Sequence, residues 1–209
     1  MKKVLITGIN SFTGNYVRDL LISAGFEVFG YCRKTSNMEK NTFEGDLLDP
    51  KRLAFALKES NPNYIIHLAA ISFVEHGTKT EIYNSNLMGT INLLESIKNY
   101  AFNVEQIVIA SSANIYGNVK SGAISESQPL APLNEYAASK AAMEYAIHPY
   151  FNYLPITLVR PFNYTGVGQR ENFLIPKIVK HYSHRIKDLE LGNIDVSRDF
   201  SDVGEIASY

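Results

Sequence analysis

The sequence predicts an α/β protein, a doubly wound parallel sheet followed by the start of a smaller domain. Three observations carry that prediction. Short apolar, β-branched runs alternate along the chain with segments of helical period. The first of these runs passes through a glycine-containing turn directly into a helical pattern. The polar clusters fall just after the strand runs, at the end of a parallel sheet where ligands bind.

The first strand is Lys3–Ile6. Thr7-Gly8-Ile9-Asn10-Ser11-Phe12-Thr13-Gly14 follows, and then Tyr16, Val17, Leu20 and Leu21 recur at the spacing of a helix over Gly14–Ala24. The first N–H groups of such a helix, reinforced by its dipole, attract an anion. Gly8 permits the tight turn and Gly14 permits close packing of helix on strand. Ser11 stands where the usual glycine spacing has its middle glycine. Its side chain can crowd a pyrophosphate or donate a hydroxyl to it. Asn10, Ser11, Phe12 and Thr13 therefore join Gly8 and Gly14 as candidates for holding a dinucleotide.

The second strand, Glu27–Tyr31, runs into Cys32-Arg33-Lys34. A site for NAD usually places a carboxylate here for the adenosine ribose hydroxyls, and none is present. Arg33 and Lys34 read either as two solvated charges or as partners of a 2′-phosphate, which a guanidinium grips in a bidentate way. The missing carboxylate favours NADP(H), with NAD(H) as the alternative. Asp46, in Glu44-Gly45-Asp46-Leu47, follows a short extended run. It either accepts from an adenine amino group or caps the helix predicted over Pro50–Ser60.

The remaining elements keep the alternation. Strand Tyr64–Leu68 leads to Ala69–Ser72, and a helix spans Glu81–Tyr100. Strand Gln106–Ala110 leads to Ser111–Asn114, and a helix spans Glu135–Ile147. Strand Ile156–Val159 leads to Pro161–Thr165. Residues 1–160 read as a dinucleotide-binding domain. Beyond Pro161 the character changes. Phe173, Leu174, Ile175, Ile178, Val179 and Tyr182 form an apolar helical face opposite Lys177, Lys180 and His181, which read as solvated. A last helix begins in Asp202–Tyr209. Residues 161–209 are expected to be the start of a substrate domain, of which part is missing.

Composition narrows the function classes. A chain of 209 residues, 45% hydrophobic and 20% charged, can bury a substantial core. Its net charge of −1 gives no bulk electrostatic case for nucleic acid or an anionic membrane. The single cysteine, Cys32, excludes an internal disulfide and fits a reducing compartment. With no signal peptide and no apolar stretch of spanning length, the expected location is cytoplasmic. Asn163-Tyr164-Thr165 matches a glycosylation acceptor and reads as accidental in that setting. A hydrolase is disfavoured for want of a G-x-S-x-G turn. His67, His76, His148, His181 and His184 are scattered, so no metal site is expected.

The strongest chemical signal is Tyr136-Ala137-Ala138-Ser139-Lys140, downstream of the run that ends in Ser111-Ser112. A Tyr and a Lys four residues apart share one helix face. A cationic Lys beside a phenol favours the phenolate, so the Tyr can trade protons near neutral pH. A nearby serine hydroxyl can hold a carbonyl oxygen.

Taken in order, these motifs resemble the extended short-chain dehydrogenase/reductase family of nucleotide-sugar epimerases, dehydratases and reductases. The likeness covers essentially the whole chain. It rests on Thr7-Gly8 with Gly14, Gly45-Asp46-Leu47, His67-Leu68-Ala69-Ala70 and Asn86-Leu87-Met88-Gly89-Thr90. It continues through Ser111-Ser112-Ala113-Asn114-Ile115-Tyr116-Gly117, Tyr136 with Lys140, Arg160-Pro161-Phe162-Asn163 and Arg198-Asp199-Phe200. The resemblance implies a Rossmann-like fold. It also implies that Ser112 is the catalytic hydroxyl, Tyr136 the acid/base, and Lys140 the residue that lowers the Tyr pKa and holds the nicotinamide ribose. Leu47, Leu68, Ala69, Ala70, Pro161 and Phe162 would lie along the cofactor. Ser72, Ser112, Asn163, Asn172 and Arg198 would contact a nucleotide sugar. Family members often dimerise through the helices predicted here over Glu81–Tyr100 and Glu135–Ile147. Ala137, Ala138, Ala141 and Ala142 allow such close packing, against a partner or against the sheet.

The 4,6-dehydratases of the family carry an acidic pair after the catalytic hydroxyl. Ala113 and Asn114 stand there instead, and neither can do that proton transfer. Reductase and 4-epimerase remain. Arg33-Lys34 favours a reductase drawing on NADPH. The run Arg160–Gln169, with Gly192-Asn193-Ile194-Asp195, is most similar to GDP-4-keto-6-deoxy-mannose reductases and their GDP-mannose dehydratase relatives. A non-catalytic dinucleotide sensor would not need Ser112, Tyr136 and Lys140 together.

Overall fold

The structure, a computed structural model, describes residues 1–34, 40–72, 78–101, 103–119, 122–192, 195 and 197–209. Two compact units divide the chain, Met1–Pro161 and Phe162–Tyr209.

The first unit holds six strands in the order β3-β2-β1-β4-β5-β6, all parallel. They are β1 (Lys3–Thr7), β2 (Glu27–Cys32), β3 (Thr42–Glu44), β4 (Tyr64–His67), β5 (Gln106–Ala110) and β6 (Ile156–Val159). Strand order reverses between β1 and β4, and such a switch point opens a crevice at the carboxyl ends of the strands. Helix α1 (Phe12–Ser23) joins β1 to β2, and α2 (Pro50–Ser60) joins β3 to β4. Helices α3 (Lys79–Tyr83) and α4 (Gly89–Tyr100) lead to β5, and α5 (Glu135–Ile147) leads to β6. Leu5, Ile65, Ile107 and Ile109 of the strands pack with Leu53, Leu57, Leu93, Leu94, Ile97, Met143 and Ile147 of the helices in one core. Full burial of each such side chain is worth about 1.5–3 kcal/mol.

Local chemistry sets the helix ends. Ser11 caps α1 by accepting from the Gly14 N–H at 3.0 Å. Asn134 caps α5 by accepting from the Ala137 N–H at 2.8 Å. Asp49, not Asp46, caps α2, and Pro50 takes its first turn. That settles the capping alternative for Asp46, whose Oδ1 accepts instead from the Leu48 N–H at 2.9 Å.

Besides shifts at element ends, two elements of the first unit differ from expectation. The short extended run before Asp46 is a paired strand, β3. The helix predicted over Glu81–Tyr100 starts at Lys79 and is interrupted by one π-helical turn, Asn84–Met88. A π turn adds a residue to the ring without breaking the helix, so the apolar period hides it.

In the second unit, β7 (Asn163–Thr165) pairs in parallel with β8 (Phe200–Asp202). Helix α6 (Leu174–Ser183) lies between them in sequence, and α7 (Val203–Ser208) follows. The apolar face of α6 is not buried: Val179 is 60% and Tyr182 88% exposed. Nor are its basic residues merely solvated. Lys177 Nζ donates to the Glu190 carbonyl at 2.6 Å, Lys180 pairs with Glu171, and His181 Nδ1 lies 2.8 Å from the Lys177 carbonyl. Among the described residues no helix is long and apolar enough to cross a membrane. His76, Asn193 and Ile194 lie outside the described residues.

Candidate active site

The turn after β1 is built on two glycines. Gly8 has φ +71°, its N–H donates to the Tyr31 carbonyl at 2.8 Å, and its carbonyl accepts from the Ser11 N–H at 2.9 Å. A Cβ on Gly8 would meet the Ala69 backbone nitrogen at 2.8 Å, so this turn lies directly against Leu68 and Ala69 beyond β4. A Cβ on Gly14 would stand 2.3 Å from the Gly8 carbonyl oxygen. Only glycine lets α1 approach the turn this closely. Ser11 turns out to be first a cap. Its oxygen is committed to the Gly14 N–H, and its proton remains to be donated. Phe12 and Thr13 open α1, and the Phe12 ring meets Tyr16 edge-on.

Beside this turn lies the end of β2. Asn10 Nδ2 donates to Cys32 Sγ at 3.4 Å, which ties the turn to that strand, and the exposed Arg33 and Lys34 follow. Cys32 is buried. Tyr31 OH donates to the Asp46 carbonyl at 2.8 Å, and this holds the exposed Asp46 and buried Leu47 next to β2. Leu68, Ala69 and Ala70 are half-buried, and Ser72 is exposed. A glycine cradle at a helix N-terminus, with two cations at the neighbouring strand end, fits an elongated dinucleotide.

The candidate catalytic side chains gather at the end of β5. Lys140 is 3% exposed, and its Nζ donates to the Ala110 carbonyl at 2.7 Å. Burial pulls the Lys140 pKa down while Glu144 pushes it up, and it settles at about 8. Two residues on from Ala110, buried Ser112 opens the 3₁₀ turn Ala113–Tyr116, its Oγ accepting from the Asn114 N–H at 3.2 Å. The structure therefore brings Lys140 and Ser112 to one strand end. Tyr136 lies one helical turn before Lys140 and is half-buried. Ser111 Oγ is buried and has no hydrogen-bond partner among the described residues. Pro161 is half-buried, and its carbonyl accepts from the Ala113 N–H at 3.0 Å.

The other expected contacts belong to the second unit. Within it, Asn163 Nδ2 donates to the Asp199 carbonyl at 3.2 Å, which sets Asn163 beside the Arg198-Asp199-Phe200 motif. Phe162, Asn172 and Arg198 are exposed. Arg198 Nη1 reaches the Ser197 carbonyl at 3.3 Å.

A buried polar chain behind the site was not read from sequence, although its members sit inside the quoted motifs. Thr90 Oγ1 donates to the Asn86 carbonyl at 2.8 Å, so it must accept from His67 Nε2 at 2.9 Å. His67 is then a neutral ring whose Nδ1 accepts from Thr7 Oγ1 at 2.6 Å. Asn86, in the π turn, donates to the Ile71 carbonyl and to Ser139 Oγ, and accepts from the Ile71 N–H. Ser139 Oγ donates to the Tyr136 carbonyl at 2.7 Å. The glycine turn, the end of β4 and the Tyr136 helix are thus held by one fully paired set of groups.

That set predicts an acid-sensitive fold. Burial first, and the Lys140 charge second, push the His67 pKa down from 6.5 to about 3. Below pH 6.5 the unfolded chain takes up a proton that the folded chain refuses. Stability from this group is complete above 6.5 and lost as pH falls through that window, by up to about 1.4 kcal/mol per pH unit. Urea midpoints measured from pH 7 to 5 should fall more steeply for the wild type than for His67→Gln. Equal slopes would remove His67 as the cause.

The sheet order, the glycine turn and the Ser112, Tyr136 and Lys140 positions define an extended short-chain dehydrogenase/reductase with a Rossmann-like fold. The chain belongs to the GDP-mannose 4,6 dehydratase family, whose profile matches residues 5–209. It is 38% identical over 204 residues to a GDP-6-deoxy-D-talose 4-dehydrogenase of Aggregatibacter actinomycetemcomitans, covering 97% of this chain and 67% of that one. It is 31% identical to a GDP-6-deoxy-D-mannose reductase of Pseudomonas aeruginosa, covering 99% of this chain and 68% of that one. A solved dTDP-glucose 4,6-dehydratase from Bacillus anthracis, in complex with NAD, superposes with a TM-score of 0.86 at 26% identity, over 100% of this chain and 70% of that one. This chain therefore spans about two thirds of the length of these relatives.

Proposed function

We propose that this protein catalyses NADPH-dependent reduction of the C4 keto group of a nucleotide-linked 4-keto-6-deoxy sugar, with a GDP-sugar favoured. The observation that carries the proposal is the strand end where Lys140 is held on the Ala110 carbonyl beside Ser112, with Tyr136 one turn away. When bound, the reduced dinucleotide supplies a hydride for the C4 carbonyl carbon. Ser112 hydrogen-bonds the carbonyl oxygen and orients it. Tyr136 donates its phenolic proton to the developing alkoxide, and the Lys140 cation stabilises the tyrosinate left behind. Gly8, Asn10, Ser11, Phe12, Thr13 and Gly14 would hold the pyrophosphate. Arg33 and Lys34 would take the 2′-phosphate, and Asp46 and Leu47 the adenine. Leu68, Ala69, Ala70, Pro161 and Phe162 would flank the cofactor along its length. Ser72, Asn163, Asn172 and Arg198 would serve the nucleotide sugar.

Ala113 and Asn114 speak against dehydration although the family profile bears a dehydratase's name, because neither supplies an acid for a second proton transfer. The two relatives above are named a 4-dehydrogenase and a reductase of GDP-6-deoxy sugars, which supports a redox reaction over dehydration. The proposed setting is cytoplasmic, where NADPH and nucleotide sugars are both at hand. A homodimer through α4 and α5 is also proposed. Ala137 and Ala141 are buried within the protomer, which leaves the half-buried Ala138 and Ala142 and the 73%-exposed Tyr145 for a partner. Light scattering should give twice the 23.4 kDa chain mass. A monomer at all concentrations would remove that part.

The cofactor choice is tested by paired fluorescence titration of NADPH and NADH. NADPH should bind more tightly, and Arg33→Ala should weaken it about 10–100-fold while leaving NADH unchanged, the scale of a charge-assisted hydrogen bond. Equal affinity for both would undercut the roles given to Arg33 and Lys34 and turn the choice toward an NAD-dependent 4-epimerase.

A further inference from the structure

Lys140 is a cation in a place hostile to charge. Its surroundings can be named element by element among the described residues. β5 offers only the uncharged Ala110 carbonyl. β4 offers His67, which the polar chain keeps neutral. Tyr136 lies one turn before it on α5, and Glu144 lies one turn after it on the same face. Glu144 is 8% exposed and does not stand alone. Arg160, at the end of β6, grips it through Nε at 3.0 and 3.2 Å and through Nη2 at 2.6 Å. The Arg160 Nη1 donates to Tyr116 OH at 2.7 Å and to the Glu126 carbonyl at 3.1 Å, and the guanidinium carbon lies 5.3 Å from the centre of the Tyr116 ring. Tyr116 closes the 3₁₀ turn that Ser112 opens. One guanidinium therefore ties the Ser112 turn, the Lys140 helix and the end of β6 together.

A buried carboxylate with a planar, bidentate partner is fixed in both place and charge. We propose that Glu144, clamped by Arg160, is a positioning residue that keeps Lys140 cationic at neutral pH. The role assigned to Lys140 rests on the function proposed above, but the charge relation between the two side chains does not.

The test reads Lys140 directly. Protein carrying ¹³C-labelled lysine is titrated by NMR, and Lys140→Met identifies the Lys140 signal. The wild-type midpoint is expected near 8. In Glu144→Gln it should fall by about one pH unit, and in Glu144→Asp it should stay within about 0.3 unit. Glu144→Gln leaves Arg160 buried without its partner, so a second variant is needed. Glu144→Leu/Arg160→Met removes both charges and preserves packing, and it should show the same fall. A midpoint unmoved in both charge-removing variants overturns the proposal. So does a fall confined to Glu144→Gln, because it traces the effect to the unpaired Arg160. If the protein reduces a GDP-4-keto-6-deoxy sugar, the alkaline limb of kcat should move with the midpoint while KM for NADPH at neutral pH holds. If it shows no turnover, the proposed function fails and the NMR midpoints still judge Glu144.

Discussion

Tyr136→Phe is expected to lower turnover about 10²–10⁴-fold, the usual contribution of a positioned proton donor. Dinucleotide affinity should change little, because the cradle lies at the ends of β1 and β2 and the substitution removes one oxygen. Far-UV circular dichroism should match the wild type, since the Ser139 bond is taken by the Tyr136 backbone carbonyl, which the substitution leaves in place. The check is a single-turnover measurement of NADPH oxidation with a 4-keto-6-deoxy nucleotide sugar. Turnover within a few-fold of wild type would remove Tyr136 as the acid and with it the mechanism.

Gly14→Ala is expected to damage the glycine turn severely. The added Cβ would meet the Gly8 oxygen at 2.3 Å, the Ile9 oxygen at 2.6 Å and the Ile9 carbonyl carbon at 2.8 Å, all of them backbone. No rotamer change relieves a contact with main chain, so α1 or the turn must shift. A cost of about 3 kcal/mol follows from overpacking of this kind. For a domain of this size that lowers the melting temperature by about 6–12 °C. Affinity for either dinucleotide should fall at least tenfold in the same variant, because the N–H groups at the helix start move. Gly192→Ala, where the Cβ meets nothing within 4 Å, is the control and should stay within about 0.5 kcal/mol of wild type. Calorimetry that finds the two variants alike would show that the turn accommodates a side chain.

The large elements were legible because each carries its own periodicity. Strands β1, β2, β4, β5 and β6 and helices α2 and α5 lie where the apolar pattern puts them, to within a residue. The three residues of β3 were too few for alternation to register. The π turn was invisible because one added residue leaves the apolar face continuous. The candidate site divides along the same line. Gly8, Gly14, Ser112, Tyr136 and Lys140 stand at spacings that local chemistry explains. The His67–Thr90–Asn86–Ser139 chain and the Glu144–Arg160 clamp join residues far apart in sequence, and no local pattern encodes such partners. Glu144 did carry a signal: it extends the Tyr136–Lys140 spacing by one further turn.

The parallel pairing of the main sheet governs how this protein reaches its fold. No two neighbouring strands of that sheet can close as a hairpin, because every pairing is parallel and parallel neighbours need a crossover connection. The first pairing, β1 with β2, already spans α1, and β1 with β4 spans about sixty residues of chain. Helices can form within microseconds, whereas the sheet must wait for these closures, which sets refolding on about the millisecond-to-second scale. During that interval the apolar strands Lys3–Thr7, Tyr64–His67 and Gln106–Ala110, central in the finished sheet, are unpaired. Dilute, cool refolding should therefore recover more active protein than concentrated refolding, with the losses going to association between chains at these three segments.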